Sequence, residues 1–126
     1  MNKILIIDDE QFNIDSLKII LEYQGGIYNI DTISSTALNG LLAVDLIKKN
    51  VEENGGVFCN YNLILTDMNM PVMDGNTASL QIREYLLSKG LDQPIIIAIT
   101  GHIEDSFIKK ALNDGINMVV AKPVRY

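Results

Sequence analysis

Four short apolar runs, Ile4 to Ile7, Leu63 to Leu65, Ile95 to Ile99 and Met118 to Ala121, lack the polar alternation of a half-exposed strand. Strands buried on both faces read this way, and they belong to parallel sheets covered by helices. Tyr28 to Ile33 predicts a weaker fifth strand. Between the runs, Ile14, Leu17, Ile20 and Leu21 recur with helical period, as do Ala37, Gly40, Val44, Ile47 and Val51. Ala78, Ile82, Tyr85 and Leu86 mark a third helix, and Phe107, Ile108, Ala111 and Leu112 a fourth. Gly25-Gly26, Gly90 and Gly115 stand where helix C-terminal caps are expected. Strand and helix alternate throughout, so the class is α/β: a mainly parallel sheet with helices on both faces.

The stretch from Asn50 to Asn60 is long for an αβ connection and predicts an extended helix end followed by a surface loop, a poor place for chemistry. The sequence stops at Tyr126, just after the fifth strand, where a further helix would cover the sheet. The last helix is therefore expected to be missing, and the apolar surface it leaves to be covered by a second copy in a homodimer.

At 126 residues the chain fits one domain, 1–126, large enough to bury a core without disulfides or a structural metal. A net charge of −6 argues against direct nucleic-acid binding, which needs clustered Lys and Arg. Cys59, the single cysteine, has no partner for a disulfide and no companion ligands for zinc, and reads as a buried or loop thiol. No apolar run reaches membrane-spanning length and no secretory leader is legible, so the expected location is cytoplasmic, without membrane contact by this segment.

Ligands of open α/β sheets bind beyond the carboxyl ends of the strands. At those ends stand Asp8 and Asp9 after the first strand, Asp67 after the third, Thr100 at the fourth and Lys122 at the fifth. Gathered carboxylates repel unless a cation intervenes, and Mg²⁺ accepts one or two carboxylates and completes its shell with water and phosphoryl oxygens. Lys122 adds a point charge and Thr100 a hydroxyl, both suited to phosphoryl oxygens. Asp67, central among them, is the candidate nucleophile for an acyl phosphate.

Asp8-Asp9, the run from Asp67 through Pro71 to Asp74-Gly75, Thr100-Gly101 and Lys122-Pro123 together resemble the receiver domains of response regulators and hybrid histidine kinases. The likeness covers nearly the whole chain. It implies a flavodoxin-like doubly wound five-stranded sheet of order 2-1-3-4-5. It implies that Asp67 is the phosphoacceptor, and that Asp9 binds Mg²⁺ directly, Asp8 through water, and Asn69 through its backbone carbonyl. Thr100 is then the switch hydroxyl and Lys122 the lysine that pairs with the phosphoryl group. The implied partner is a histidine kinase or histidine phosphotransfer protein, and the module is a signalling phosphoacceptor that assists its own phosphorylation and dephosphorylation rather than an enzyme. Resemblance further suggests a cis Lys122–Pro123 peptide and a role for Asn69 and His102 in phosphate lifetime. Asn13 and Asn39-Gly40 are similar to hybrid-kinase receivers. Val119 departs from the family, which usually places Tyr or Phe there as the switch aromatic. Asp74 reads as an N-cap or turn former rather than a ligand.

Two rivals remain. A haloacid-dehalogenase-type phosphatase would want an aspartate where Asn69 stands. A receiver fold acting only by protein contacts would not need the intact acceptor, acidic pair, threonine and lysine.

Overall fold

A computed structural model describes residues 2–101 and 103–122. In chain order the elements are β1 (Lys3–Ile7), α1 (Gln11–Tyr23), α2 (Ile30–Ile33), β2 (Ser34–Ala37) and α3 (Gly40–Glu53). They continue with β3 (Tyr61–Thr66), α4 (Gly75–Ser88), β4 (Ile95–Thr100), α5 (Asp105–Asn113) and β5 (Met118–Ala121). The strands form one sheet of order β2-β1-β3-β4-β5, every neighbouring pair parallel. The expected class and strand order therefore hold.

Successive side chains of a strand point to opposite faces, and the two faces here build two separate cores. Leu5, Ile7, Ile64, Ile96 and Ala98 face α3, α4 and α5, meeting Val44, Ile47, Ile82, Leu86 and Ala111. Ile4, Ile6, Leu65 and Ile99 face the other way, toward Ile14, Leu17 and Leu21 of α1. Where both faces are covered, the central strands carry apolar residues in succession, which is why their runs do not alternate.

The expected strand at Tyr28 to Ile33 is displaced. Ile30–Ile33 forms one helical turn, and the strand is the next four residues, Ser34–Ala37. As an edge strand it is only half-buried until Ala37, so it needs no apolar run; Ile30 and Ile33 pack beneath α1 instead. For the same reason Ala37 ends β2 rather than opening the next helix, which starts at Gly40 behind an Asn39 N-cap that accepts from Leu42 N–H at 2.9 Å. Asp74 is likewise an N-cap, accepting from Thr77 N–H at 2.8 Å. Gly26, Gly90 and Gly115 all take positive φ, as cap glycines do.

The long connection after α3 is clipped by three asparagines. Asn60 N–H donates to Asn50 Oδ1 at 2.7 Å, while Asn50 and Asn54 both donate to Asn60 Oδ1, at 3.0 and 2.9 Å. Cys59 lies half-buried beside this clip, its thiol donating weakly to the Tyr61 carbonyl; burial pushes the thiol pKa up.

At the opposite end of the sheet from the acidic residues, Arg83 of α4 fastens three segments. Its guanidinium donates to the Gly115 carbonyl at 2.7 and 3.0 Å, to the Pro94 carbonyl at 2.6 Å and to Asn117 Oδ1 at 2.7 Å. Asn117 Oδ1 also accepts from Ile96 N–H at 2.8 Å, locking β5 to β4. Hydrogen bonds to a charged group contribute more than neutral ones, and the carbonyls here would lose their partner. Arg83→Ala is expected to lower stability by about 2–3 kcal/mol, read as a lower urea midpoint with an unchanged m-value.

Candidate functional site

Parallel ladders deliver the acidic residues to one rim. Asp8 follows β1 and its N–H donates to the Ala37 carbonyl at 3.1 Å. Asp67 follows β3 and donates to the Ile7 carbonyl at 2.8 Å, and Lys122 follows β5 and donates to the Thr100 carbonyl at 2.9 Å. Asp8, Asp67 and Lys122 are thus each held by one further ladder bond past their strands.

Carboxylate oxygens of Asp8, Asp9 and Asp67 lie within 4.8 Å of one another. Asp8 is buried, Asp67 half-buried and Asp9 exposed. Lys122 Nζ sits between two of them, 3.3 Å from Asp8 Oδ2 and 3.3 Å from Asp67 Oδ1. Asp8 Oδ1 accepts from Glu10 N–H at 3.0 Å and from Asn13 Nδ2 at 3.4 Å. Asp67 Oδ1 accepts from Met68 N–H at 2.9 Å, whereas Asp67 Oδ2 takes no hydrogen bond among the described residues. Thr100 is buried at the end of β4, and Asn69 is exposed in the loop after Asp67. Five of the six expected site residues therefore gather at the strand ends, and Asn69 stands on the loop beside them.

Charge is out of balance here: among the described residues, three carboxylates face one ammonium. Burial pushes the Asp67 carboxyl above its ordinary pKa; Lys122 opposes the shift and Asp8 adds to it. For Lys122, burial works against the charge, but Asp67 and Asp8 outweigh it and hold the ammonium above its ordinary pKa. Even at 4.8 Å, the widest separation of their oxygens, the Asp8–Asp67 pair costs on the order of 3 kcal/mol at an effective dielectric of about 20. A hard oxygen-seeking cation fits this donor set.

The loop from Asp67 to Asp74 is pinned on both flanks. Gly75 N–H donates to the Met68 carbonyl at 3.1 Å, and Gly40 N–H donates to the Met73 carbonyl at 3.0 Å. A Cβ on Gly75 would stand 2.4 Å from the Asp67 carbonyl, and one on Gly40 2.6 Å from that of Met73. Only glycine permits these approaches. Between the pins, Val72 has φ of 71° and Met73 N–H donates to the Pro71 carbonyl at 2.8 Å, a γ-turn.

Several contributors were not legible in the sequence. Backbone donors of Glu10 and Met68 carry no residue-type signal, and Thr66, whose hydroxyl donates to the Asp67 carbonyl at 2.8 Å, reads as a strand residue. Asn13 was distinguished only by resemblance, although its spacing of one helical turn beyond the acidic pair could have placed it. Val119 is half-buried in β5 against the main core. His102 and the Lys122–Pro123 peptide lie outside the described residues.

Residues 4–126 match the response regulator receiver domain. The chain belongs to that family. It is similar to the osmosensing histidine protein kinase SLN1 of Saccharomyces cerevisiae, 34% identical over 98% of this chain and 9% of that protein. Hybrid signal transduction histidine kinase B of Dictyostelium discoideum is 30% identical over 99% of the chain and 6% of its own length. The chain thus spans less than a tenth of these curated relatives. Among solved structures, the receiver domain of yeast Ssk1, co-crystallised with the histidine phosphotransfer signaling protein Ypd1, superposes with a TM-score of 0.78 at 27% identity. That match covers 98% of this chain and 80% of that one. A CheX–CheY–BeF3–Mg²⁺ complex from Borrelia burgdorferi gives 0.75 at 28% identity, with the same coverage. No helix among the described residues is long and apolar enough to cross a membrane.

The upward shift of Asp67 has a stability consequence. A carboxyl with a folded pKa above its unfolded value destabilises the fold once ionised, so the cost is present above the folded pKa and absent below the unfolded one. In chelator-treated buffer at pH 7, Asp67→Asn is expected to have a higher denaturation midpoint than wild type. The gap should close as the pH falls through the carboxylate range.

Proposed function

We propose that residues 1–126 form one receiver unit that accepts a phosphoryl group on Asp67 from a phosphohistidine and later releases it to water. The observation that carries this reading is the convergence of Asp8, Asp9, Asp67 and Lys122 from three separate strands, with one carboxylate oxygen, Asp67 Oδ2, left without a hydrogen bond among the described residues.

Asp67 Oδ2 attacks phosphorus while Met68 N–H and Lys122 hold Oδ1, fixing the carboxylate plane for in-line approach. The Oδ–P bond forms as the P–N bond to the donor imidazole breaks, and that imidazole takes its proton from solvent. Lys122, freed in part from Asp67 as its charge moves to the phosphoryl oxygens, pairs with them. Thr100 supplies the hydroxyl that closes on the phosphoryl group and shifts the resting ensemble toward an active conformer. Asp8, Asp9, Asp67 and the Asn69 carbonyl would hold Mg²⁺, which when bound neutralises charge on the phosphoryl oxygens. The donor is a histidine kinase or histidine phosphotransfer protein, and the module is a cytoplasmic signalling phosphoacceptor rather than an enzyme turning over a separate substrate.

Incubation with Mg²⁺ and acetyl phosphate, followed by intact-mass measurement, is expected to give one base-labile phosphoryl adduct. Asp67→Asn, or chelation of the metal, should abolish it. An adduct that persists in Asp67→Asn would assign the chemistry to another residue.

A further inference from the structure

The stretch from Asn50 to Asn60, where the sequence alone promises no chemistry, holds a reactive pair. Asn54 is followed by Gly55, and an asparagine amide is open to attack by the next backbone nitrogen when no Cβ stands in the way. Asn39-Gly40 is the same pair elsewhere in the chain, and the fold treats the two differently. Gly40 is buried, its N–H donates to the Met73 carbonyl at 3.0 Å, and a Cβ there would stand 2.6 Å from that carbonyl. Gly55 is exposed with φ of 67°, and a Cβ there would meet nothing nearer than Val57 Cγ2 at 4.0 Å. Its N–H donates to the Glu52 carbonyl at 3.0 Å, a bond at the end of α3 that is lost when the last turn frays. Freeing the Gly40 N–H requires the acceptor loop to leave α3.

What the Asn54 amide holds decides the consequence. Its Nδ2 donates to Asn60 Oδ1 at 2.9 Å, to Asn50 Oδ1 at 3.3 Å and to the Phe58 carbonyl at 3.4 Å. The surroundings fix this orientation, since the Phe58 carbonyl can only accept and Asn50 Oδ1 already accepts from Asn60 N–H. A carboxylate at Asn54 would have no donor to offer and would set its oxygen against three acceptors, beside the half-buried Cys59.

We propose that Asn54 is a site of spontaneous deamidation and that its conversion opens the asparagine clip. The Gly55 nitrogen gives its proton to solvent base and attacks Asn54 Cγ. The N–C bond forms as the C–Nδ2 bond breaks, and Nδ2 takes a proton from solvent and leaves as ammonia. Water then opens the cyclic imide at either carbonyl, giving aspartate or isoaspartate and one further negative charge. The net reaction consumes a water and releases an ammonia, with no oxidant or cofactor. Hydrolysis does not return the amide, so a clip opened this way stays open.

The test holds wild type in warm, mildly alkaline buffer and follows both pairs by peptide mapping, while the rate of Cys59 with an aromatic disulfide reagent reports the clip. Asn54 is expected to convert at least about tenfold faster than Asn39, because protection follows the free energy of local opening. In urea, where opening is complete, the two pairs should convert at comparable rates. Asn54→Asp should raise Cys59 reactivity at least about fivefold over fresh wild type, the effect of turning a donor into an acceptor within a half-buried network. The same rise should track the converted fraction in aged wild type, where no substitution has been made. Conversion of Asn39 as fast as that of Asn54 in the folded chain would overturn the site, as would a gap that persists unchanged in urea. Cys59 no more reactive in Asn54→Asp and in converted wild type than in fresh protein would overturn the opening of the clip.

Discussion

The ammonium of Lys122, 3.3 Å from both Asp8 and Asp67, is the contact on which the rest of the site depends. Without it, two carboxylates would face each other on rigid strand ends with no means of retreat, because each is held by a ladder bond beyond its strand. The pair costs energy and the lysine offsets only part of it, leaving a pocket that remains short of positive charge. That shortage is the property a phosphoryl-accepting site with a divalent cation requires. The arrangement also explains why Asp67 and Lys122 shift together: the same proximity that steadies the ammonium partly counters the burial that disfavours the carboxylate.

The parallel sheet makes this possible by carrying residues far apart in sequence to adjacent strand ends. Its two cores differ in kind. Helices α3, α4 and α5 enclose one face, while α1 and the short α2 turn pack against the other. The enclosed face also sets the acceptor loop, since Gly40 at the start of α3 and Gly75 at the start of α4 each admit a backbone carbonyl of that loop where a Cβ would not fit. Motion of either helix start is thereby coupled to the peptide of Asp67 or Met73, a short mechanical route between pocket and helix face. At the far end of the sheet Arg83 binds α4, β4 and the approach to β5, so the two ends of α4 serve chemistry and cohesion separately.

Much of this was legible beforehand. The central strands announce themselves because a strand covered on both sides must be apolar throughout, and the acidic pair, Asp67, Thr100 and Lys122 fall directly after such runs. The edge strand was misplaced because Ser34–Ala37 is half-exposed and carries no apolar run, while the isoleucines just before it belong to a helical turn under α1. The asparagine clip and the Arg83 hub were invisible because their acceptors are mostly main-chain carbonyls or distant side chains, which leave no local pattern. The γ-turn at Val72 was hidden for the opposite reason: valine is among the residues least expected at positive φ.

The sequence by itself determined the α/β class, the residue types at the strand ends and the charge imbalance among them, because these follow from local periodicity and composition. Tertiary structure alone decided that Lys122 bridges Asp8 and Asp67, that Asp67 keeps one oxygen without a hydrogen bond among the described residues, and that Phe12 stands exposed at the rim of the same pocket. Those are relations between segments as much as 114 positions apart. They exist only once strand register and helix packing have fixed the distances, and no local pattern in the chain encodes a distance.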